Sequence, residues 1–211
     1  MVFEMRTYSF HPGALPTYLH LAQVLGRPVR GNDYGICCGY WIAQTGRLDQ
    51  VWHLWSYDSL DERARLRAIL LKDDRWTKEY GGAVLPLLQR QDIRLLEPAR
   101  ALSAPEPGGL FELRLHRARP GHSRPWLDEA LPPGQDDAAP SAHTVGLWTG
   151  ISPQPNEVVQ LRSFRSCDDW LRERAAQQLP SADGPSPQAP DSRLAEVESI
   201  LLKPTLFSPM Q

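Results

Sequence analysis

The chain carries one pattern twice at a fixed spacing. Residues 3–13 begin Phe-Glu-Met-Arg and end Pro-Gly, and residues 111–121 begin Phe-Glu-Leu-Arg and end Pro-Gly, 108 positions later. Other pairs keep nearly the same spacing: Gly39-Tyr40-Trp41 with Gly146-Leu147-Trp148, Leu54-Trp55-Ser56-Tyr57 with Leu161-Arg162-Ser163-Phe164, and Leu95-Leu96-Glu97-Pro98 with Leu201-Leu202-Lys203-Pro204. A period of this length is the size of a domain, so it predicts two copies of a complete folding unit rather than a solenoid.

The overall composition is typical of a globular protein and narrows the list of partners. The 211 residues are 41% hydrophobic, which is enough to build a core in each half. The formal charge of −2 provides no broad basic surface, so we expect no nucleic-acid partner. No apolar run approaches the roughly 18 residues that cross a bilayer, and Met1 leads directly into a strand-like segment. We therefore expect no membrane insertion and a cytoplasmic location.

Residue periodicity predicts a β-α-β-β-α-β order in the first copy, which is the ferredoxin-like plan. Ser59 followed by Glu62 has the spacing of a capping box and predicts the start of the second helix. The predicted strands of the first copy are residues 3–10, 36–44, 51–57 and 91–96, and those of the second copy are residues 111–116, 142–148, 158–164 and 196–202. The predicted domains are residues 1–98 and 110–206, which we call the first and second modules, joined by a Pro/Gly linker at 99–109, with a mobile loop near 180–192.

Several segments of the first copy carry a family resemblance. Residues 3–8 (FEMRTY), Gly39-Tyr40-Trp41, residues 50–59 (QVWHLWSYDS) and the exit from residue 85 to 98 resemble a NIPSNAP domain. The second copy is similar only in its Phe-Glu-x-Arg start and two strand motifs. The resemblance implies a dimeric α+β barrel, in which two ferredoxin-like modules face each other. Here both modules come from one chain, so we expect an intramolecular pseudo-dimeric barrel of the α+β class.

Strand alternation sorts the polar side chains into candidate sites. If Phe3 and Met5 face the helices, the opposite face of the same strand carries Glu4, Arg6 and Tyr8 and lines the barrel. The same alternation adds further residues to this barrel-lining face: His53, Trp55 and Tyr57 from the first copy, and Glu112, Arg114, His116, Gln160, Arg162 and Phe164 from the second. One interpretation is a cross-barrel ion-pair network, in which Glu4 with Arg6 and Glu112 with Arg114 set the register between the halves.

The other interpretation of the same face is a polar ligand cavity. His53 and Tyr8 are the candidate catalytic acid/base groups, Arg6 and Arg114 would bind an anionic group, and Trp55 would form a wall. The full set of candidate ligand-binding residues is Glu4, Arg6, Tyr8, His53, Trp55, Arg114 and His116. The sequence contains no zinc or calcium ligand pattern and no nucleotide-binding or hydrolase motif, so we expect neither a metal site nor a cofactor.

Three classes of function follow from these features. The favoured one is binding of a small molecule in a pocket of the first module. The alternatives are a non-catalytic scaffold or protein-interaction module, and a cofactor-independent enzyme of monooxygenase or isomerase type acting on an apolar substrate. Further self-association of the pseudo-dimer is also possible. A closed pocket of several hundred cubic ångströms favours the first class, whereas a filled barrel with every charge paired favours the scaffold.

Overall fold

Eight strands form the framework of the molecule and close into a barrel. The computed structural model describes residues 1–131, 142–178 and 192–211. Apart from its last residue, the loop predicted near 180–192 lies outside these described residues. The strands are β1 (Val2–Phe10), β2 (Ile36–Ala43), β3 (Gln50–Tyr57), β4 (Leu88–Arg100), β5 (Leu110–Ala118), β6 (Ala142–Ser152), β7 (Glu157–Phe164) and β8 (Leu194–Pro204).

The order of the strands shows how the two halves share one barrel. Around the barrel it is β1-β3-β2-β8-β5-β7-β6-β4, with β4 returning to β1. All neighbouring strands are antiparallel. The first half contributes β4-β1-β3-β2 and the second half contributes β8-β5-β7-β6, so the β2–β8 and β4–β6 pairs join them. Closure pairs the outermost strand of each half and removes the sheet edges that an open four-stranded sheet would expose.

Helical segments follow the first and third strands of each half. They are α1 (Leu15–Leu21), which continues through a π-helical segment (Ala22–Gly26) into α2 (Arg27–Arg30); α3 (Leu60–Leu70); a π-helical segment (Arg75–Tyr80) that continues into α4 (Gly81–Val84) and a 3-10 turn (Leu85–Leu87); α5 (Ser123–Ala130); and α6 (Cys167–Gln178). The predicted capping box starts α3, because the Glu62 N–H donates to Ser59 Oγ at 3.0 Å and the Glu62 carboxylate accepts from the Asp58 N–H at 2.7 Å.

Apolar side chains from both halves fill the centre of the barrel. Phe3 packs edge-on against Trp148 with ring centroids 5.6 Å apart, and Trp41 contacts Phe111 at 5.6 Å. These rings belong to one buried cluster to which all eight strands contribute. Each of these two ring contacts joins the first half to the second, so the halves share a core and each needs the other to bury its inner face.

The repeated Gly-x-Trp motif has a steric explanation in this core. In β2 the Trp41 ring lies against the backbone of Gly39, where an added Cβ would be 2.0 Å from the ring. In β6 the Trp148 ring covers Gly146 in the same way, and an added Cβ would be 2.1 Å away. Residues two apart in a strand share a face, so each glycine provides the space that its own tryptophan fills.

The predicted fold class is confirmed. The molecule is an α+β protein with a closed antiparallel barrel, built from two β-α-β-β-α-β halves of one chain. Each predicted strand lies within the observed one or extends at most one residue beyond it. The largest differences are in β4, which begins three residues earlier and ends four residues later than predicted, and in β6, which ends four residues later. The module boundaries at 98 and 110 stay a prediction. In the described part of the chain, no helix combines the length and the apolar character needed to cross a membrane.

The Gly-x-Trp packing leads to a stability prediction. Gly39→Ala is expected to lower the free energy of unfolding by about 1–3 kcal/mol, because its new methyl group collides with the Trp41 ring. Gly82→Ala is the matched control, since an added Cβ there meets nothing within 4 Å and alanine favours helix. Urea unfolding of both variants measures the difference, and equal stability of Gly39→Ala and wild type would refute the packing explanation.

Candidate functional site

Five of the seven candidate ligand-binding residues lie together on one face of the sheet. Glu4, Arg6 and Tyr8 alternate along β1, and on the neighbouring strand β3 His53 is paired with Arg6 and Trp55 with Glu4. The helical segments of the first module cover this face, and Tyr8 and Trp55 pack in one buried cluster with their side chains. We call the space between this face and the helices the outer-face site.

The prediction that this face lines the barrel is wrong. Strand alternation correctly placed these residues on one face. However, the other face, with Phe3, Met5, Trp52 and Leu54, fills the barrel, and the face that carries the polar side chains lies against the helices. All nine residues of β1 are buried, so the pattern of the strand separates two faces without showing which one is inside. The polar face lies outward because the covering helices supply the charged partners that buried polar groups require.

Glu4 is completely buried, and two guanidinium groups share its carboxylate. Arg6 donates to one oxygen and Arg63 of α3 donates to the other. Burial by itself raises the pKa of Glu4, but Arg6, Arg63 and Arg30 outweigh it, and the pKa lies below its ordinary value. Arg6 also donates from Nη1 to the Tyr8 hydroxyl at 3.0 Å. The predicted Glu4–Arg6 pair is therefore present, inside one module rather than across the barrel.

The outer-face site contains more positive than negative charge. Arg30 is only 3% exposed, lies 3.3 Å above the centre of the Trp55 ring and donates from Nη2 to the Tyr57 hydroxyl at 2.9 Å. Arg67 of α3 is close enough to Arg6 and Arg30 that burial, reinforced by these two charges, lowers its pKa to about 10. Within the described residues, no carboxylate lies within ion-pair distance of Arg30 or Arg67, and Arg67 Nη1 is buried without a hydrogen-bond partner.

His53 is held as a neutral ring that can donate a hydrogen bond. The indole N–H of Trp55 donates to His53 Nδ1 at 2.6 Å, so the proton of the neutral imidazole is on Nε2. The ring stacks on Tyr40 at 4.6 Å and meets the edge of Tyr8 at 4.7 Å. Burial, reinforced by the positive charge of Arg6, places the pKa of His53 well below its ordinary value. Nε2 is buried and has no partner among the described residues.

A tyrosine pair and the end of the chain complete the wall behind His53. The hydroxyl groups of Tyr18 and Tyr40 are hydrogen-bonded to each other, and burial raises the pKa of both phenols far above the ordinary value. The Tyr40 N–H donates to Ser208 Oγ at 3.0 Å, and the Tyr40 carbonyl accepts from the Thr205 N–H at 2.9 Å. Phe207 meets the Tyr40 ring at 5.0 Å. Residues 205–208 thus hold one wall of a site in the first module.

The outer-face site encloses only a small cavity in this conformation. Its volume is about 20 Å³, which is room for about one water molecule. Two π-helical segments bound it, and a Cβ added to Gly26 in the first would lie 2.7 Å from the Tyr80 ring in the second. Such segments are rare and occur often at functional sites. The lining residues are Tyr8, Ala22, Gly26, Arg27, Arg30, Tyr40, His53, Trp55, Trp76 and Tyr80.

The other two candidate residues belong to the equivalent face of the second module. His116 packs against Trp126 of α5 at 4.5 Å, and burial, reinforced by Arg114, lowers its pKa to about 4. Arg114 lies 2.9 Å from Glu112, whose carboxylate also accepts from Arg162 at 3.1 Å. Each module therefore has its own ion-pair cluster beside its own helices, and the predicted network across the barrel is wrong.

Several residues of the outer-face site were missed by sequence reasoning. Arg30 does not stand out in the sequence, and Arg67 belongs to a charged stretch that is typical of a solvated helix face. Tyr18 and Tyr80 recur at the helical spacing of an ordinary apolar face. The pattern that could have revealed these residues is the recurrence of aromatic and arginine side chains at helical spacing. That pattern is more typical of an ordinary buried helix face or a solvated surface than of a binding site. Tyr40 lies within the Gly-Tyr-Trp motif, so its strand was predicted although its role was not.

The geometry favours recognition of an acceptor group or an anion. Within the part of the chain that the structure describes, His53 Nε2–H and Arg67 Nη1 are donors without acceptors, and no carboxylate lies within ion-pair distance of the buried Arg30. With its proton on Nε2 and its pKa lowered, His53 is poorly suited to act as a general base. The candidate role of His53 is therefore that of a neutral hydrogen-bond donor. Among the described residues, no group of three or more His, Cys, Asp or Glu side chains is arranged to hold a metal ion.

Sequence comparisons connect the chain to a known family. A family model described as NIPSNAP matches residues 3–102. Protein NipSnap homolog 3A from Homo sapiens is 29% identical over 223 residues, covering 99% of this chain and 85% of the human protein. The crystal structure of an uncharacterized NIPSNAP domain protein from Burkholderia xenovorans is 31% identical, covers 49% of this chain and 99% of its own, and has a TM-score of 0.46.

A structural comparison supports the barrel over nearly the whole chain. The crystal structure of an anthrone oxidase-like protein covers 97% of this chain and 91% of its own, with a TM-score of 0.64 and 12% identity. At that identity the likeness is one of fold alone. It agrees with the dimeric α+β barrel that the sequence predicted.

The two buried histidines predict a loss of stability in mild acid. Below about pH 6.5 the unfolded chain takes up protons on His53 and His116, whereas the folded state resists until lower pH, about 4 for His116. The free energy of unfolding is therefore greatest above about pH 6.5. As the pH drops below this value, it should fall by up to about 1.4 kcal/mol per pH unit for each histidine. Urea unfolding at pH values between about 7.5 and 5 measures this slope, because the pKa values of Glu4 and Glu112 are lowered and both titrate below this range.

The controls for this pH dependence are single glutamine variants. His53→Gln and His116→Gln should each remove about half of the slope, whereas His122→Gln, at an exposed position, should leave it unchanged. A free energy of unfolding that stays constant across this range in the wild type would contradict neutral burial of both rings.

The shared carboxylate of Glu4 leads to a second stability prediction. Arg6→Ala is expected to lower the free energy of unfolding by about 3 kcal/mol, because Glu4 stays buried with only Arg63 as its ion-pair partner. Arg63→Ala should cost less, since that side chain is 21% exposed and its removal leaves the buried Glu4–Arg6 pair intact. Thermal and urea unfolding compare the two variants, and an unchanged melting temperature for Arg6→Ala would disprove the buried pair.

Proposed function

The chain belongs to the NIPSNAP family, and we propose from the geometry of the outer-face site that its first module binds a small organic anion between the barrel sheet and the covering helices. The outer-face site is the location of this binding. The proposal makes the favoured small-molecule function more specific, because it gives the ligand a charge and names the groups that meet it.

The unpaired buried charge of Arg30 is the observation that supports this proposal most directly. A guanidinium group that is 3% exposed loses most of its hydration, and a carboxylate normally compensates that loss. Here Glu4 is already shared by Arg6 and Arg63, and the partners of Arg30 itself, the Tyr57 hydroxyl and the face of the Trp55 ring, carry no negative charge. An anionic ligand would supply the missing negative charge and accept a charge-assisted hydrogen bond.

The walls of the site favour a planar ligand. Tyr8, Tyr40, Trp55 and Trp76 present aromatic surfaces, and the His53 ring stacks in parallel with Tyr40. A flat aromatic or enolate anion would contact these rings and leave its oxygen available to the guanidinium and Nε2–H donors. Within this proposal Tyr8 and Trp55 are wall residues, and His53 donates a hydrogen bond to the ligand oxygen.

Ligand entry requires the helical layer to move. The present cavity holds about one water molecule, whereas small-molecule sites typically measure about 300–1,000 Å³. The two π-helical segments are the elements that we expect to shift, since their wider turns face the cavity and Gly26 touches Tyr80 across it. In this view the observed conformation is the closed state, and binding displaces Tyr80 and Trp76 outward.

A non-catalytic interaction module is the second candidate function. It is favoured by the filled barrel centre and by the pairing of Glu4 with Arg6, the two features that the sequence analysis associated with a scaffold. The enzyme alternative, a cofactor-independent oxidation or isomerisation, needs a proton acceptor in the site. Neutral His53 does not provide one at Nε2, which leaves Tyr8 as the remaining candidate.

The proposal is tested by titration with a coloured anion, 4-nitrophenolate, followed by its absorbance change. We expect saturable binding to the wild type and none of the neutral 4-nitroanisole. Arg30→Met keeps the length of the side chain and removes its charge, and it should weaken binding about tenfold or more. Arg65→Met, at an exposed position on α3, is the matched control and should bind like wild type.

The stability of Arg30→Met separates the two candidate functions from a folding defect. Replacing an unpaired buried charge by an apolar side chain should leave the melting temperature unchanged or raise it. A well-folded Arg30→Met that binds 4-nitrophenolate as tightly as wild type would rule out Arg30 as the anion partner. Absence of any binding to the wild type would favour the interaction module.

A further inference from the structure

A second and much larger cavity opens at one end of the barrel. It lies where β1 and β5 finish and β3 and β7 begin, on the inner side of the strands and away from the outer-face site. Its volume is about 540 Å³, within the range of small-molecule sites. We call it the barrel-mouth cavity. Its lining residues are Thr7, Ser9, Arg47, Gln50, Trp52, Arg90, Asp92, Ile93, Arg94, Arg117, Pro153, Gln154, Glu157, Glu198 and Ile200.

Most of the polar side chains around the barrel-mouth cavity already have partners. Arg94 donates to Glu157 at 2.8 Å and lies 5.6 Å from the centre of the Trp52 ring. Arg117 pairs with Glu196 at 2.6 Å and lies 3.5 Å from Glu157. Ser9 accepts a hydrogen bond from Gln50 at 2.8 Å, and Arg90 pairs with Asp92 at 2.7 Å.

Two adjacent, buried wall residues have polar atoms that lack a partner among the described residues. Thr7 on β1 and Trp52 on β3 are direct cross-strand partners, and they are 3% and 4% exposed. Thr7 Oγ1 and Trp52 Nε1 are both buried and have no hydrogen-bond partner in the part of the chain that the structure describes. Directly opposite residues of antiparallel strands have Cβ atoms about 5 Å apart, so one small group that displaces the side chains covering these two atoms can contact both of them. Buried polar groups normally find partners, and this pair does not.

The missing partner must be a hydrogen-bond acceptor. An indole N–H only donates, and the Thr7 hydroxyl can donate to the same group. The charged lining favours an anion, since four guanidinium groups (Arg47, Arg90, Arg94 and Arg117) face three carboxylates (Asp92, Glu157 and Glu198). We propose that the barrel mouth is a second binding site, and that it takes a small molecule whose carboxylate accepts hydrogen bonds from Thr7 and Trp52.

This site is independent of the anion site proposed above. It is formed by the inner face of the strands, receives residues from both halves of the chain and requires no movement of the helical layer. Loss of the outer-face function would leave the barrel-mouth proposal intact, and the reverse also holds.

The test uses succinate as the probe and the tryptophan indole resonances as the readout. In a ¹H–¹⁵N spectrum the chain gives one indole signal for each of its seven tryptophans, and Trp52→Phe identifies the signal of Trp52. Succinate should shift the Trp52 signal saturably, because a carboxylate oxygen then accepts its N–H. Trp148, fully buried in the barrel core, and Trp55, in the outer-face site, serve as internal references.

Two controls separate specific recognition from an effect of ionic strength. Succinamide has the same carbon chain without charge and should leave the Trp52 signal in place. Thr7→Val keeps the shape of the side chain and removes the hydroxyl, so it should fold like wild type and weaken succinate binding about tenfold. The free Thr7 hydroxyl has no partner to lose, which makes this substitution mild.

Several outcomes would overturn the proposal. They are a Trp52 signal that does not move with succinate, an equal shift with succinamide, unchanged affinity in Thr7→Val, and a shift of Trp55 in place of Trp52, which would place the succinate at the outer-face site.

Discussion

Burial of both faces of the same strands is the constraint on which the rest of this structure depends. The inner face of β1 and β3 fills the barrel with side chains such as Phe3 and Trp52, and the outer face lies under helices. A polar residue on either face therefore has no access to bulk water along most of the strand. Each one must find a partner within the protein or keep an unsatisfied group. The ion pairs, the tautomer of His53 and both proposed sites follow from that requirement.

The two faces meet this requirement in different ways. The centre of the barrel has no helix to provide charges, so it is packed with rings, and Gly39 and Gly146 supply the space for two of them. Among the described residues, the charged side chains on the inner side lie near the mouth, where solvent reaches Arg90 and Asp92. The outer face meets α3, whose Arg63 reaches Glu4. The positions of the polar residues thus depend on what covers each face of the strands: other strands of the barrel on the inside, and helices on the outside.

The sequence predicted the elements of this fold better than their arrangement around the site. The repeat and the period of the strands were sufficient for the β-α-β-β-α-β order and the capping box at Ser59, because these depend on local patterns. The barrel itself was implied by the family resemblance. The same alternation grouped Glu4 with His53 but placed them inside the barrel, since a strand buried on both faces has no polar side to mark its exterior. Arg30 could not be predicted, because its burial over Trp55 depends on the packing of a helix that is distant in sequence.

The two modules differ in how the charges of their buried clusters balance, and this difference supports the proposed site in the first module. In the described part of the second module, the two carboxylates of Glu112 and Glu173 pair with the two guanidinium groups of Arg114 and Arg162. In the described part of the first module, the Glu4 carboxylate lies among five guanidinium groups: Arg6, Arg27, Arg30, Arg63 and Arg67. A cluster whose only task is to hold sheet and helix together gains nothing from unbalanced buried charge, which costs stability. The excess positive charge of the first module therefore needs a compensating group, and an anionic ligand would supply the missing negative charge directly. For this reason a function should be sought in the first module.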